Sequence, residues 1–222
     1  MKKKYNTILF DFDGTLMNTN ELIIASWQYT FKTLRGKEED LDKIISTFGE
    51  PLIISMKNFF GENNYEEALD IYRNFQREIY RESIKLCDGV EELLKTLYEE
   101  GYRMAIVSSR LKSSLLIGIE KYHMEDYFET VISADDTTEH KPGPAPALAA
   151  LEIMNVAPEN ALMVGDSIFD ILCAKNAGVD SVLVGWAVEG SGSQEKKQNL
   201  DCEPTYFIEK ADQLLDIIHG VN

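Results

Sequence analysis

The chain has few cysteines and no long apolar run, and it is short of positive charge. Its three cysteines, Cys87, Cys173 and Cys202, are odd in number and share no metal-like spacing. That argues against a disulfide framework or a thiolate metal site and fits free thiols in a reducing cytosol, so a cytoplasmic location is expected. No apolar run approaches the roughly 18 residues of a membrane span. The start, Met1-Lys2-Lys3-Lys4, is basic like the front of a signal peptide, but Asp11 and Asp13 cut its apolar run short. Lysine and arginine number 22 against 38 acidic residues, a formal net charge of −16. Nucleic acid and anionic membrane are therefore poor partners. An anionic substrate fits only where a metal and local Lys or Arg reverse the field. There are no internal repeats.

With 222 residues, 44% of them hydrophobic, the chain can bury a real core in one or two domains. It is organised around Ile8–Leu16, ILFDFDGTL. Ile8-Leu9-Phe10 reads as a short buried strand, and Gly14 permits a sharp exit from it. Alternation along extended backbone puts Asp11 and Asp13 on one side and Phe12 on the other. Two carboxylates this close repel unless something positive joins them, and a hard divalent cation such as Mg²⁺ suits oxygen ligands. The bland alternative is a solvated acidic strand end.

From Asn20, the expected helix cap, to about Glu82 the pattern is helical. Helices are expected from near Glu21, over Asp40–Phe48, Leu52–Phe60 and Tyr65–Arg81, with breaks at Gly36, Gly49-Glu50-Pro51 and Gly61–Asn64. From Ile84 onward short apolar strands alternate with helices. Strands are expected at Arg103–Val107, Val131–Ser133, Ala161–Val164 and Ser181–Val184. Helices are expected at Val90–Glu100, Ser113–Tyr122, Pro146–Asn155, Ile168–Ala177 and Ala211–His219. This pattern predicts an α/β fold: a Rossmann-like parallel sheet with helices on both faces and an inserted all-helical cap. The core would comprise residues 1–16 and 84–222, and the cap residues 17–83, hinged near Met17–Thr19 and Ser83–Asp88.

Active sites in such sheets lie beyond the carboxyl ends of the strands. The first strand delivers Asp11 and Asp13. A second ends in Ser108-Ser109-Arg110, and a third in Asp166-Ser167 with Asp170 one helical turn on. Between them, His140-Lys141-Pro142-Gly143-Pro144-Ala145-Pro146 is stiffened by proline and carries one lysine. If these ends converge, the carboxylates can hold Mg²⁺ while lysine and hydroxyls bind phosphate oxygens. One carboxylate can then attack phosphorus. His140, with no partner spacing, reads as a loop residue.

The sequence resembles the haloacid dehalogenase (HAD) superfamily phosphatases. Four motifs occur in that family's order: DFDGT at 11–15, a strand ending in Ser108, Lys141 in KPGPAP, and GDSIFD at 165–170. LMNTNELI after the first motif, FGEPL at 48–52 and GWAVEG at 185–190 resemble the phosphoglycolate phosphatase-like group and its cytoplasmic inorganic pyrophosphatases. The resemblance implies a Mg²⁺-dependent phosphohydrolase working through an aspartyl-phosphate. Asp11 would be the nucleophile, and Asp13 the general acid/base and, through its main-chain carbonyl, a metal ligand. Asp166 would ligate the metal. Asp170 would ligate it through water or stand behind the ligands.

Lys141 would offset charge on Asp11 and the phosphoryl group, and Ser108 would bind a phosphate oxygen, with Ser109 and Gly14 beside it. Arg110, one residue beyond the usual signature, reaches either a second phosphate or solvent. Gly49 and Pro51 would shape a cap loop facing the site. The nearest cation to that loop is Lys57, which speaks against strong clamping of a large polyanion. A closing lid favours a small phosphorylated substrate, with pyrophosphate and phosphoglycolate first, and the chain would be a monomer or homodimer. Two alternatives are a β-phosphoglucomutase-like phosphotransferase and a non-enzymatic, receiver-like domain that binds phosphate and Mg²⁺.

Overall fold

The computed structural model describes residues 4–48, 50–186 and 202–220. Gly49, residues 187–190 of GWAVEG and the Gly190–Leu200 stretch lie outside them. Six strands form one sheet: β1 (Thr7–Phe10), β4 (Arg103–Val107), β5 (Thr130–Ile132), β6 (Ala161–Gly165), β7 (Asp180–Val184) and β8 (Tyr206–Ile208). They are ordered β5-β4-β1-β6-β7-β8, and every pairing is parallel.

Side chains alternate along these strands and so build two cores. Ile8, Phe10, Met104, Ile106, Leu162, Val164, Val182 and Val184 face α5 (Val90–Glu99), α6 (Lys112–Lys121) and α9 (Gln213–His219). Leu9, Ala105, Val107, Ala161 and Met163 face α7 (Ala145–Met154) and α8 (Ile168–Ala177). The fold is therefore the expected parallel sheet covered on both faces. After β1 the chain builds β4 and β5 to one side, then returns to lay β6 against the other flank of β1. That reversal places the crevice of a doubly wound sheet at the ends of β1, β4 and β6.

Four helices interrupt the sheet between β1 and β4: α1 (Asn20–Arg35), α2 (Leu41–Ile45), α3 (Leu52–Phe60) and α4 (Tyr65–Ser83). They enclose an aromatic core of their own. Trp27 packs edge-on to Phe59 and Tyr72 at 5.2 and 5.3 Å and stacks on Phe31 at 5.8 Å. The two crossings between this layer and the sheet pair with each other, β2 (Met17–Asn18) antiparallel to β3 (Lys85–Leu86).

Some local expectations change. Asn20 is the first helical residue rather than the cap: Met17 and Asn18 are tied up in β2, so the Thr19 carbonyl starts the ladder and accepts from Ile23 N at 2.9 Å. Helix α2 ends at Ile45 rather than Phe48, because the Ser46 and Thr47 hydroxyls donate back to the Lys43 and Ile44 carbonyls and end the turn. Among the described residues no helix is long and apolar enough to cross a membrane.

Candidate active site

The turn after β1 sets the site. Gly14 sits at φ 77° and donates its N–H to Met17 O at 2.7 Å, while Leu16 and Met17 donate back to Phe12 O. Phe12 is buried in the core so tightly that a Cβ on Gly118 of α6 would lie 2.6 Å from its ring. Asp11 and Asp13 point the other way and line a cavity of about 630 Å³ between the strand ends and the helical layer. Gly14 is not among the lining residues, and its N–H is already committed. The structure shows Gly14 making the turn after β1.

At the floor of the cavity, Lys141 Nζ donates to Asp11 Oδ1 and to Asp170 Oδ1, both at 2.6 Å, and to Val107 O at 3.2 Å. All three side chains are buried. The second oxygen of Asp170 accepts from Ser167 N at 3.1 Å and from Ser167 Oγ at 2.6 Å, a capping box that opens α8. Carboxylate oxygens of Asp11, Asp166 and Asp170 all lie within 4.8 Å of one another. Burial pushes the Asp11 carboxyl well above the usual carboxylate range. Lys141 pulls it back, and Asp170, Asp166 and Asp13 add to the rise. Burial also works against the Lys141 ammonium, but Asp11 and Asp170 outweigh it and hold Lys141 above an ordinary lysine. One ammonium thus faces three clustered carboxylates, a donor set of hard oxygens that fits a divalent cation.

Asp13 stands outside that cluster. Both of its oxygens accept from Arg110: Nε at 3.0 and 2.7 Å, and a terminal guanidinium nitrogen at 2.8 Å. The other terminal nitrogen of Arg110 donates to Gln76 Oε1 of α4 at 3.1 Å, and the guanidinium lies 5.0 Å from the Tyr80 ring centroid. Arg110 N donates to Ser108 Oγ at 3.2 Å. Ser108 and Ser109 line the cavity, and the buried Ser109 hydroxyl has no hydrogen-bond partner among the described residues.

The structure therefore gathers Asp11, Asp13, Ser108, Ser109, Arg110, Lys141, Asp166 and Asp170 at one sheet edge. Asp11, Asp166 and Asp170 form the metal-like cluster, and the Asp13 side chain does not join it. His140, Glu50 and Pro51 also line the cavity. Sequence reasoning missed Arg73, Gln76, Arg77 and Tyr80, which line the cavity from α4. Their spacing, i, i+3, i+4 and i+7, is legible as one helix stripe. Which stripe faces the site depends on how the helix docks. Lys57 is not among the cavity's lining residues, in keeping with the little basic character expected near Gly49, but α4 brings Arg73 and Arg77 to the cavity, which the expectation of weak anion clamping did not include.

A parallel sheet with clustered carboxylates and a buried lysine at its strand ends, under an inserted helical layer, is the architecture of a hydrolase family. The chain belongs to that family, the haloacid dehalogenase-like hydrolases, whose model matches residues 8–184. It is similar over 217 residues, at 39% identity, to the "Putative pyrophosphatase PpaX" of Caldanaerobacter subterraneus, covering 98% of this chain and 96% of the relative. At 35% identity over 213 residues it is similar to the pyrophosphatase PpaX of Halalkalibacterium halodurans, covering 96% of each. Among solved structures, a "putative phosphoglycolate phosphatase" from Lactobacillus plantarum matches with a TM-score of 0.85 at 28% identity, over 96% of this chain and 99% of that one. Membership of a hydrolase family sets aside the receiver-like reading.

Proposed function

We propose that the protein is a Mg²⁺-dependent phosphohydrolase that acts on a small phosphorylated molecule through an aspartyl-phosphate on Asp11. Inorganic pyrophosphate and phosphoglycolate are the first candidates. The observation that carries this reading is the buried Asp11–Lys141–Asp170 network beside Asp166, at the one edge of the sheet that opens into the cavity. The names of the relatives support the choice of candidates.

In this scheme an Asp11 oxygen forms the new bond to phosphorus as the bond to the leaving oxygen breaks. Lys141 fixes the orientation of the attacking carboxylate and balances charge at it. Asp13 gives the leaving oxygen its proton, then takes one from the water that attacks the phosphoenzyme. The bond between phosphorus and Asp11 breaks in that second step, which frees phosphate. Ser108 and Ser109, whose hydroxyls stand at the end of β4, bind phosphoryl oxygens. Asp11 and Asp166, with the Asp13 main-chain carbonyl and Asp170 alongside, would hold Mg²⁺. When bound, the ion supplies the positive charge that lets an anionic carboxylate meet an anionic phosphate.

Phosphate release from pyrophosphate, phosphoglycolate and p-nitrophenyl phosphate with Mg²⁺ tests the reading. Asp11→Asn is expected to abolish turnover with the fold intact by circular dichroism. Substantial residual turnover would reject Asp11 as nucleophile, and no turnover by the wild type would reject the class.

A further inference from the structure

Arg110 ties the proposed acid/base to the wall of the cavity. Its guanidinium is largely buried, with 8% side-chain exposure, and three of its N–H···O contacts go to Asp13. Both Asp13 oxygens are engaged, so neither is directed at a leaving group. The remaining arm of the fork rests on Gln76, which α4 flanks with Arg73 and Arg77, and all three line the same cavity. Arg73 is half-buried and has no carboxylate partner among the described residues. Tyr80 lies beneath Arg110, and its buried hydroxyl also lacks a hydrogen-bond partner among the described residues. Arg110, Arg73, the exposed Arg77, which also donates to Asn74 Oδ1 at 3.3 Å, and Tyr80 with its orphan hydroxyl thus line the same cavity as Asp11 and Asp166. That is more positive charge than Asp13 needs.

We propose that Arg110, with Arg73 and Arg77 of α4, is the receptor for a second anionic group on the substrate, and that capture of this group releases Asp13. The inference rests on the phosphohydrolase reading, and it names the substrate class: a phosphate whose leaving group carries its own anion, as in a phosphoanhydride or a phosphorylated hydroxy acid. A guanidinium fork binds carboxylate or phosphate through paired hydrogen bonds, so a substrate anion competes directly for the place Asp13 holds. The exchange replaces one anion by another, so Arg110 is never left as a buried, unpaired charge, a strongly unfavourable state. A phosphate ester without a second anion offers Arg110 nothing, and Asp13 stays held. Selectivity then lies in the chemical step, because the group that identifies the right substrate also frees the acid that acts on it.

The test uses two matched pairs of ligands with Mg²⁺ present. Calorimetry compares methylenediphosphonate with methylphosphonate, and turnover compares phosphoglycolate with 2-hydroxyethyl phosphate. The wild type is expected to favour the two-anion member of each pair by about tenfold or more, the scale of one charged contact. Arg110→Gln should remove the binding preference, lower kcat on phosphoglycolate more than it raises KM, and raise turnover of 2-hydroxyethyl phosphate because Asp13 is no longer held. Arg110→Lys should fall between the two, and Arg73→Gln or Tyr80→Phe should weaken the preference without exchanging the order of substrates.

Equal losses on both esters would show that Arg110 only supports Asp13, which overturns the proposal. Equal binding of both phosphonates by the wild type also overturns it, even where esters are hydrolysed. A protein that turns over no ester but keeps an Arg110-dependent preference overturns the hydrolase reading and leaves the anion receptor standing.

Discussion

At the level of single residues, Asp170 shows how much of the site is built by groups that need not touch substrate. One of its oxygens holds Lys141 and the other holds Ser167, so it fixes both the ammonium beside Asp11 and the start of α8. It fits there only because residue 165 is glycine. A Cβ on Gly165 would stand 2.3 Å from Asp170 Cβ and 2.4 Å from its Cγ. Neither side can yield easily: Gly165 is paired with Leu183 of β7, and Asp170 sits in the first turn of α8. Gly165→Ala should therefore cost about 1–3 kcal/mol, the usual scale of overpacking. It should also lower phosphate release by displacing Asp170 from Lys141. Urea denaturation and a rate assay on the same preparation check it, and wild-type values in both would show that the contact relaxes freely. Asp11 and Asp166 were legible as letters at strand ends, and Lys141 as the lone lysine of a proline-rich loop. The demand on Gly165 was not, because it arises only when α8 folds back over β6.

Among the elements, the turn after β5 holds the Ser108–Arg110 loop and the start of α6 in place, with Ala134 N donating to Arg110 O at 2.9 Å. Asp135 accepts from Lys112 N at 2.8 Å, at the start of α6. Asp136 accepts from Ser133 N at 2.8 Å, Ser133 Oγ at 2.6 Å and Lys112 Nζ at 3.0 Å. Partial burial works against the Asp136 charge, but the Ser133 and Lys112 donors outweigh it and hold the carboxyl below its ordinary value of 3.8. A depressed folded value means that the stabilisation is fully present above the unfolded pKa and fades as pH falls through the folded one. Asp136→Asn should then lose about 1 kcal/mol at pH 7, and the gap to wild type should close as pH is lowered past 3.8. Denaturant titrations at neutral and acid pH measure this; a gap that persists at the acid end would assign the effect to shape rather than charge.

Legibility at this scale follows length and local chemistry. Leu52–Phe60 and Ile168–Ala177 carry their own stop signals and were read to the residue. Tyr206–Ile208 is a three-residue edge strand, too short to show a period, and it is a strand only because β7 is beside it. The stripe from Arg73 to Tyr80 was visible as helix, but its direction is set by aromatic packing around Trp27, which lies far off in sequence.

For the whole molecule, the contrast is between a formal charge of −16 and a cavity lined by Arg73, Arg77, Arg110 and Lys141. The acidic surface repels an anionic substrate, and the cavity reverses that only locally. Its floor remains a cluster of three carboxylates around one ammonium, which is a strained arrangement for a folded state to hold. A ligand that binds the native cluster and not the unfolded chain should therefore stabilise the fold. For one site the gain is about 2.7 kcal/mol at a hundredfold excess over Kd. In a chain of this size that corresponds to a rise of roughly 5–10 °C in Tm. Addition of Mg²⁺ should produce this rise and a chelator should reverse it, while NaCl at matched ionic strength should give a smaller change, because screening of the overall charge is all that it offers. Asp166→Asn should abolish most of the Mg²⁺-specific part and leave the NaCl response intact. Scanning calorimetry of both proteins in the two salts separates the effects. If Mg²⁺ raised both proteins equally, the ion would be acting on the acidic surface as a whole, and the cluster at the end of β1 would lose its claim to be the metal site.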